Sequence, residues 1–402
     1  MSLRFNFKNS SGLELSARIE LPSNQKPAAF ALFAHCFTCS KDLSAVRNIS
    51  RSLTEEGIGV LRFDFTGLGQ SSGDFADSNF SSNVQDLIYA AKALTEAYEA
   101  PQLIIGHSLG GAAAVFAASE IQSIRAVVTI GSPADPEHVQ NLFQENIEEI
   151  EENDSALVNI GGRDFTIKKQ FVQDLQDRDM ADVVKSLRKP ILVMHSPQDT
   201  IVGIYNAAKI YEAAMHPKSF ISLDGADHLL SKKEDSLYVG SVIAGWSQRY
   251  LDLSENEKLR SENQVSVRIG TDGYTTDIMA GKHALRADEP ESVGGNNFGP
   301  NPYDLLLASL GACTAMTMRM YANRKQWPLE EVKVHLEHSK RYDVDSDPDA
   351  GNKAQIDHIE RIIEIEGDLD KTQKKRLIQI ADRCPVHRTL HGEVVVDTTL
   401  TD

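Results

Sequence analysis

Cysteine is scarce in this sequence. Four cysteines occur among its 402 residues, namely Cys36, Cys39, Cys313 and Cys384. So few cysteines in a chain of this length exclude the disulfide framework that holds small secreted domains together. We therefore expect a reducing compartment, the cytoplasm, in which the thiols are free to be chemically active.

Basic residues are outnumbered by acidic ones. The sequence has 41 Lys and Arg residues against 58 Asp and Glu residues, so its formal net charge is −17. Nucleic acids and anionic membranes both bind basic protein surfaces. The charge balance therefore argues against a nucleic acid or a membrane surface as partner.

Long apolar runs are lacking as well. We find no run that approaches the roughly 18 residues of a membrane-spanning helix, and residues 1–8 are too short and polar for a secretory signal. The hydrophobic content of 41% nevertheless allows a large core. Since 402 residues exceed what a single core supports, we expect two domains.

The first 250 or so residues alternate strand-like and helix-like segments, which is typical of an α/β fold with a mostly parallel, doubly wound sheet. Short apolar segments predict buried strands at residues 28–34, 59–65, 103–106, 126–130, 191–195 and 219–223. The long acidic segment 133–189 interrupts this alternation, and we expect it to form a cap over the site. A solvated helical excursion without catalytic meaning is a compatible alternative.

A polar and charged stretch at residues 254–264 predicts a linker. The first domain then comprises residues 1–253, and the second comprises residues 265–402. The second domain begins with new strand-like alternation and continues into a long apolar helix, two long strands and a charged helix.

The motif with the clearest chemistry is the pentapeptide Gly106-His107-Ser108-Leu109-Gly110, which follows a predicted strand and opens an Ala-rich helix. Such a turn lifts the serine hydroxyl clear of the sheet, and its glycines let the two backbones pass closely. The N-terminus of the helix favours the negative charge that develops during acyl transfer. We predict that Ser108 is a nucleophile.

A serine hydroxyl needs a base, and the base needs an orienting acid. Asp199 and His228 each follow a late predicted strand, in the order serine, acid, histidine that accompanies this type of turn. The sequence thus predicts a catalytic triad of Ser108, Asp199 and His228. A binding fold with a vestigial triad is the alternative.

On these residues, positions 1 to about 252 resemble the α/β-hydrolase superfamily, of the esterase and acyl-hydrolase kind. The resemblance implies a carboxylic ester or thioester as substrate. It also implies that the backbone N–H groups of Phe37 and Leu109 form an oxyanion hole. In this sequence Cys36 stands where the family usually has glycine.

Cys36 and Cys39 form a C-x-x-C pair with His35 beside them. A redox pair, a metal site and ordinary packing are all open for this pair, and packing is the interpretation we favour. A metal needs about four ligands, and no second cysteine pair lies nearby in the sequence. We expect no metal and no cofactor.

Cys313 lies in the segment PYDLLLASLGACTAMTMRMYA, which is apolar on all sides and therefore predicts a buried helix. Cys384 precedes Pro385, and proline is favoured at the first position of a helix. We expect Cys384 to cap a helix N-terminus, which would stabilise a thiolate. His387 and Arg388 nearby add positive potential.

Residues 262–402 resemble the OsmC/Ohr family of thiol-dependent hydroperoxide reductases, an α+β fold, through GPNPYDLLLASLGACT and ADRCPVHRTL. The resemblance implies that Cys313 attacks an organic hydroperoxide and becomes a sulfenic acid. Cys384 would then resolve it as a disulfide. It further implies an intertwined homodimer and a dithiol reductant such as a lipoyl group.

Peroxidases of that family have a glutamate ten residues before the first cysteine, working with an arginine from the first strands. Here the glutamate position holds Tyr303, followed by Asp304, and Arg268 and Arg286 are candidates for the arginine. Two hypotheses follow. Either the chain is both a serine hydrolase and a peroxidase, or it is a serine hydrolase whose second domain only mediates dimerisation or binding.

Overall fold

The computed structural model describes residues 2–22, 27–160, 162–176, 178–252, 263–270, 273–295, 297–342 and 355–400. The chain divides into two units, Met1–Asp272 and Gly273–Asp402. Of the predicted linker 254–264, all but the last two residues lie outside the described part.

The first unit alternates strands with helices, as the sequence predicts. Its strands are β1 (Ser2–Arg4), β2 (Phe7–Lys8), β3 (Glu14–Leu15), β4 (Ala17–Glu20), β5 (Ala29–Ala34), β6 (Ile58–Phe63), β7 (Leu103–His107), β8 (Ala126–Ile130), β9 (Ser155–Ile160), β10 (Arg163–Lys168), β11 (Ile191–His195), β12 (Lys218–Ser222) and β13 (Val265–Ile269). Its α-helices are α1 (Ser44–Glu55), α2 (Phe80–Ala97), α3 (Leu109–Glu120), α4 (Ile147–Asn153), α5 (Lys169–Leu175), α6 (Met180–Leu187), α7 (Tyr205–Ala213) and α8 (Lys233–Ser247).

Eight of these strands form one sheet in the order β1-β4-β6-β5-β7-β8-β11-β12. From β6 to β12 every neighbouring pair is parallel, whereas β1 and β4 are antiparallel additions at one edge. Successive residues of β5 pack into different cores: Phe30 and Leu32 on one face, Ala31 and Phe33 on the other. This confirms the predicted α/β fold, because a parallel sheet needs helices over both faces.

The segment between β8 and β11 contains an antiparallel hairpin. Its strands β9 and β10 lie on either side of the turn that contains Gly162. Short helices lie on both sides of the hairpin, from Pro136–Leu142 to α6. Alternating buried and exposed residues along β9 explain the strand, since such a period of two suits a half-buried hairpin. The cap role of residues 133–189 stays a prediction.

The second unit has an α+β organisation. Its strands are β14 (Thr276–Ala280), β15 (His283–Ala287), β16 (Leu329–Tyr342) and β17 (Gln355–Gly367), and its helices are α9 (Pro302–Lys325), α10 (Lys371–Ala381) and α11 (Pro385–Leu390). Strands β14 and β15 pair antiparallel, as do β16 and β17. Asn301 begins α9 with a capping box to Asp304, and Pro302 occupies its first turn.

Helix α9 corrects two expectations. It was predicted to be buried on all sides, but its buried residues form one stripe, Leu310, Thr314, Met318 and Ala322, which faces β16 and α10. Met316 and Met320 are 65% and 72% exposed. By length and composition α9 is also apolar enough to cross a membrane, so the expectation that no such segment exists is wrong on those criteria.

Candidate active sites

Ser108 occupies the turn between β7 and α3. Its backbone has φ 56° and ψ −130°, and its N–H donates to the carbonyl of Ile130 at 2.8 Å. The flanking glycines allow this close passage. A Cβ on Gly106 would lie 2.2 Å from the carbonyl oxygen of Gly110, and one on Gly110 would lie 2.3 Å from that of His35. A side chain at either position would push the strand and the helix apart.

The structure brings the three predicted triad residues together. His228 Nε2 lies 3.0 Å from the Oγ of Ser108, and His228 Nδ1 lies 2.7 Å from Oδ2 of Asp199. Asp199 is in the loop after β11, and His228 is in the loop after β12. The serine is 8% exposed, so the arrangement is shielded from most water while one side remains accessible. A base that contacts both a hydroxyl and a carboxylate is the arrangement needed for nucleophilic catalysis.

Asp199 is held as an anion. Its Oδ1 accepts hydrogen bonds from the N–H groups of Ile201 and Val202, both at 2.9 Å, while Oδ2 faces His228. Burial by itself raises the pKa of Asp199, but the hydrogen bond and positive potential of His228 and the two N–H groups outweigh it and lower the pKa. The carboxylate is therefore ionised wherever His228 has to act as a base.

His107 supports the triad, although sequence reasoning treated it only as the variable residue of the pentapeptide. Its Nε2 donates to the backbone carbonyl of His228 at 2.7 Å, and the two rings lie 5.2 Å apart. Burial, followed by the positive potential of His228, lowers the pKa of His107 to about 3. A neutral imidazole thus fixes the backbone of His228. Its position next to the serine was the only signal in the sequence.

We predict that His107 makes the first unit sensitive to acid. Its folded pKa of about 3 lies below its ordinary value of 6.5, so the unfolded chain takes up the proton first as the pH falls. The stability that neutral His107 contributes is fully present above pH 6.5 and is lost as the pH falls from 6.5 to 3. The free energy of unfolding should be measured by urea titration at pH 7 and at pH 4. Between these two pH values it should fall by up to about 3 kcal/mol more in the wild type than in His107→Gln. Equal losses in the two proteins would contradict this role.

The loop after β5 corrects the expectation for the cysteine pair. Cys36 and Cys39 are joined by a disulfide with a Cα–Cα distance of 5.3 Å, so packing as free thiols, the interpretation favoured from the sequence, is wrong. The C-x-x-C spacing brings the two sulfurs within reach because the N–H of Cys39 bonds the carbonyl of Cys36 in a tight turn. Thr38 in this turn has φ 61°. Cys313 and Cys384 are free thiols.

Phe37 lies within the loop that the Cys36–Cys39 disulfide closes. Its N–H was predicted to form part of the oxyanion hole. The ring of Phe37 packs between those of Phe75 and Phe171, at 5.5 Å from each. In the described part of the chain, neither the N–H of Phe37 nor that of Leu109 donates to another protein group. Both donors are therefore available to a bound oxyanion, and their role in the oxyanion hole stays a prediction.

The second unit holds Cys384 in a cluster of donors. Cys384 is fully buried at the N-terminus of α11, and its Sγ accepts the N–H of His387 at 3.3 Å. The hydroxyl of Thr314, the neighbour of Cys313 in α9, lies 3.7 Å from the same sulfur. Cys313 itself is partly exposed. The structure thus brings Cys384 beside the turn of α9 that carries Cys313.

Tyr303, Asp304 and Arg286, which stand at or were considered for the positions of the family's glutamate and arginine, contact residues other than the two cysteines. The ring of Tyr303 stacks on His338 at 4.3 Å, and Asp304 is engaged in the capping box of α9. Arg286 faces Asp277 at 3.4 Å. An arginine that sequence reasoning missed, Arg361 of β17, donates to the hydroxyl of Thr314 instead. No motif marks Arg361, so the sequence alone offered no signal for it.

Two sequence families match this chain. The family described as serine aminopeptidase, S33, matches residues 26–150, and the family described as OsmC-like protein matches residues 294–399. Among solved structures, the esterase domain of a Rhodothermus marinus protein is 48% identical, with a TM-score of 0.52 over 62% of this chain and 99% of that domain. The chain belongs to the α/β hydrolases. Its C-terminal part is an OsmC-like domain.

Other relatives of this hydrolase are more distant. A mitochondrial palmitoyl-protein thioesterase of Mus musculus is 25% identical over 198 residues, which are 48% of this chain and 65% of that protein. The chain thus spans somewhat less than two thirds of that relative. The esterase Est1E of Butyrivibrio proteoclasticus, solved with ferulic acid, is 19% identical over 61% of this chain and 98% of its own, with a TM-score of 0.53. This last likeness shows the fold.

The hydrolase domain has an open cleft of about 320 Å³, and no triad residue is part of its lining. Its lining includes His138, Gln140, Tyr205 and Lys209. Burial lowers the pKa of His138, while the nearby charge of Asp199 opposes that effect. The Nε2 of Gln140 is buried and unpaired in the described part of the chain. Among the described residues we find no group of histidine, cysteine or acidic side chains that could hold a metal ion.

Proposed function

We propose that this protein hydrolyses a carboxylic ester or thioester with Ser108 and reduces an organic hydroperoxide with Cys313 and Cys384. The observation that carries the first activity is the position of His228, within 3.0 Å of the Ser108 hydroxyl and 2.7 Å of the Asp199 carboxylate. The second activity is supported by the OsmC-like domain and by two free thiols in neighbouring elements.

In the proposed hydrolysis, the Oγ of Ser108 attacks the acyl carbon while His228 Nε2 takes the hydroxyl proton. The resulting oxyanion accepts hydrogen bonds from the N–H groups of Phe37 and Leu109. When the carbonyl re-forms, the bond to the leaving alcohol or thiol breaks, and His228 returns the proton to it. Water then repeats these steps on the acyl-serine and releases the acid. Asp199 stabilises the imidazolium throughout.

Apolar side chains next to the triad support an apolar acyl group. Ile201 and Ile204 follow Asp199, Leu229 follows His228, and these three side chains are 46%, 36% and 39% exposed. Exposed aliphatic side chains on the loops that carry the acid and the base suit a hydrocarbon chain better than a polar substrate. The thioesterase named above acts on palmitoyl-protein, which fits the same chemistry.

A fluorophosphonate probe tests the hydrolase directly. It should label the wild-type protein at Ser108, as mapped by mass spectrometry, and abolish hydrolysis of p-nitrophenyl acyl esters. Ser119, an exposed serine of the same helix, serves as the internal control and should stay unlabelled. Labelling that is absent, or spread over several serines, would favour a binding fold with a vestigial triad.

In the proposed peroxidase reaction, the Cys313 thiolate attacks the distal peroxide oxygen. The O–O bond breaks, the alcohol leaves with a proton, and Cys313 becomes a sulfenic acid. Cys384 then attacks this sulfur, a disulfide forms and hydroxide leaves as water. A dithiol reductant, of which a lipoyl group is one example, restores both thiols by exchange.

The other candidate for the OsmC-like domain is an assembly or binding module. The exposed apolar residues Met316 and Met320 of α9 favour this reading, and they also support a homodimer formed through the OsmC-like domain.

We further propose that domains 1–253 and 265–402 are joined by the linker 254–264. We also propose cytoplasmic localisation, which the free thiols of Cys313 and Cys384 support, whereas the Cys36–Cys39 disulfide is unusual in that compartment.

Thiol titration separates these two candidates. One equivalent of cumene hydroperoxide should remove two thiols per wild-type chain, and mass spectrometry should find a Cys313–Cys384 disulfide. The Cys313→Ser variant should consume no peroxide, while Ser108→Ala should consume it at the wild-type rate. If the thiols persist in the wild type, the OsmC-like domain is an assembly or binding module.

A further inference from the structure

Arg361 of β17 is linked to the Cys384 sulfur through the hydroxyl of Thr314. Its Nη1 donates to the Oγ1 of Thr314 at 3.0 Å and to the carbonyl of Ala381 at 3.4 Å. Its Nη2 donates to Asp382 at 2.6 Å. The side chain is 13% exposed, so its position is fixed by these contacts rather than by solvent. The guanidinium therefore points into the protein, toward α9 and the C-terminal end of α10.

The chemistry of arginine fixes the direction of the hydrogen bond between Arg361 and Thr314. A guanidinium has five N–H donors and no acceptor, so the oxygen of Thr314 must accept from Arg361. The hydroxyl proton of Thr314 is then free to point to the Sγ of Cys384, 3.7 Å away. Thr314 and Cys384 are both fully buried, which keeps water from replacing this contact.

The Cys384 sulfur thus has two donors, the hydroxyl of Thr314 and the N–H of His387. Two donors restrict where the sulfur can lie and which way it faces. Arg361 fixes the orientation of one of them, the Thr314 hydroxyl. Asp382 balances the guanidinium and holds it in place from the other side.

We propose that Arg361 and Thr314 are positioning residues for Cys384, in that their hydrogen bonds hold its sulfur in the place and orientation from which it attacks oxidised Cys313. This inference rests on the proposed peroxidase function. In the step concerned, the Cys384 thiolate displaces hydroxide from the Cys313 sulfenic acid. One S–S bond forms, one S–O bond breaks, and the hydroxide takes up a proton as water.

The experiment is a single turnover with one equivalent of cumene hydroperoxide. Sulfenic acid on Cys313 is trapped with dimedone, and the disulfide is quantified after acid quenching. The variants Thr314→Val and Arg361→Met should form the sulfenic acid at the wild-type rate but form the disulfide about tenfold more slowly. The sulfenic acid should therefore accumulate. Arg361→Lys, which keeps the charge, should recover part of the rate.

Arg319→Met is the matched control, since Arg319 also donates to backbone carbonyls, those of Leu329 and Glu330, but takes no part in the cluster around Cys384. It should leave both rates unchanged. Wild-type rates of disulfide formation in Thr314→Val and Arg361→Met would overturn the proposal, as would an equal loss in Arg319→Met.

A second arm uses diamide, an oxidant that links two thiols without any peroxidase activity. Here too Thr314→Val should slow the Cys313–Cys384 disulfide about tenfold relative to the wild type. If the wild type reacts with diamide but not with hydroperoxide, the proposed peroxidase function fails while the positioning role stands. If diamide gives no disulfide in the wild type, the positioning role is overturned.

Discussion

The Ser108→Ala variant should hydrolyse p-nitrophenyl acyl esters with a kcat lowered by about 10⁵-fold, because the substitution removes the oxygen that attacks the ester in the proposed mechanism. Its fold should survive. The hydroxyl contacts His228 at 3.0 Å, and the left-handed backbone at φ 56° costs alanine about as much as serine.

The kinetics and the thermal midpoint of this variant should be measured together. An unchanged midpoint with the predicted loss of kcat assigns the effect to chemistry. Cys313→Ser is the control for the same preparation, because it should retain full esterase activity. A Ser108→Ala protein that keeps more than a tenth of the wild-type kcat would show that another group carries the reaction.

The Asp199→Asn variant should lose about 10³- to 10⁴-fold in kcat/KM for the same ester. Oδ1 of Asp199 accepts two backbone N–H groups, so the amide oxygen of asparagine will take that place and its NH₂ will face His228. An NH₂ group donates to Nδ1 and therefore forces the proton of the imidazole onto Nε2. An Nε2–H cannot accept the proton of Ser108.

The pH dependence separates this effect from a general loss of structure. The pKa of Asp199 is lowered, so in the wild type its carboxylate stays ionised as the pH falls through its ordinary range, and protonation of Asp199 is not what lowers kcat/KM there. Asp224→Asn is the matched control, because Asp224 bonds only the hydroxyl of Ser222 in the loop before His228. Asp224→Asn should keep the wild-type kcat/KM. If Asp199→Asn and Asp224→Asn lost kcat/KM to the same extent, the triad would be contradicted.

The hydrolase fold and the triad residues could be predicted because their signals are local. The serine pentapeptide lies between a strand and a helix, and Asp199 and His228 each follow a buried strand whose end lies at the same sheet edge. The hydrogen-bond geometry itself could not be predicted. Neither could the role of His107, because its contact with the carbonyl of His228 joins residues 121 positions apart.

Two errors have physical causes. A C-x-x-C spacing is compatible with free thiols, a metal site or a disulfide, and only the turn around Thr38 decides among them. Composition shows that α9 is apolar. It does not show which faces of the helix are buried by other parts of the same chain. Arg361 was missed for a similar reason, since 47 residues separate it from Thr314 and no periodic pattern connects them.

One hydrogen bond joins the hairpin β9–β10 to the loop after β5. Arg163, in the segment predicted to be the cap, donates to the carbonyl of Thr38 at 2.7 Å. Thr38 directly follows Phe37, whose N–H is the proposed oxyanion donor. Any movement of the hairpin that breaks this hydrogen bond would also release the peptide next to that donor.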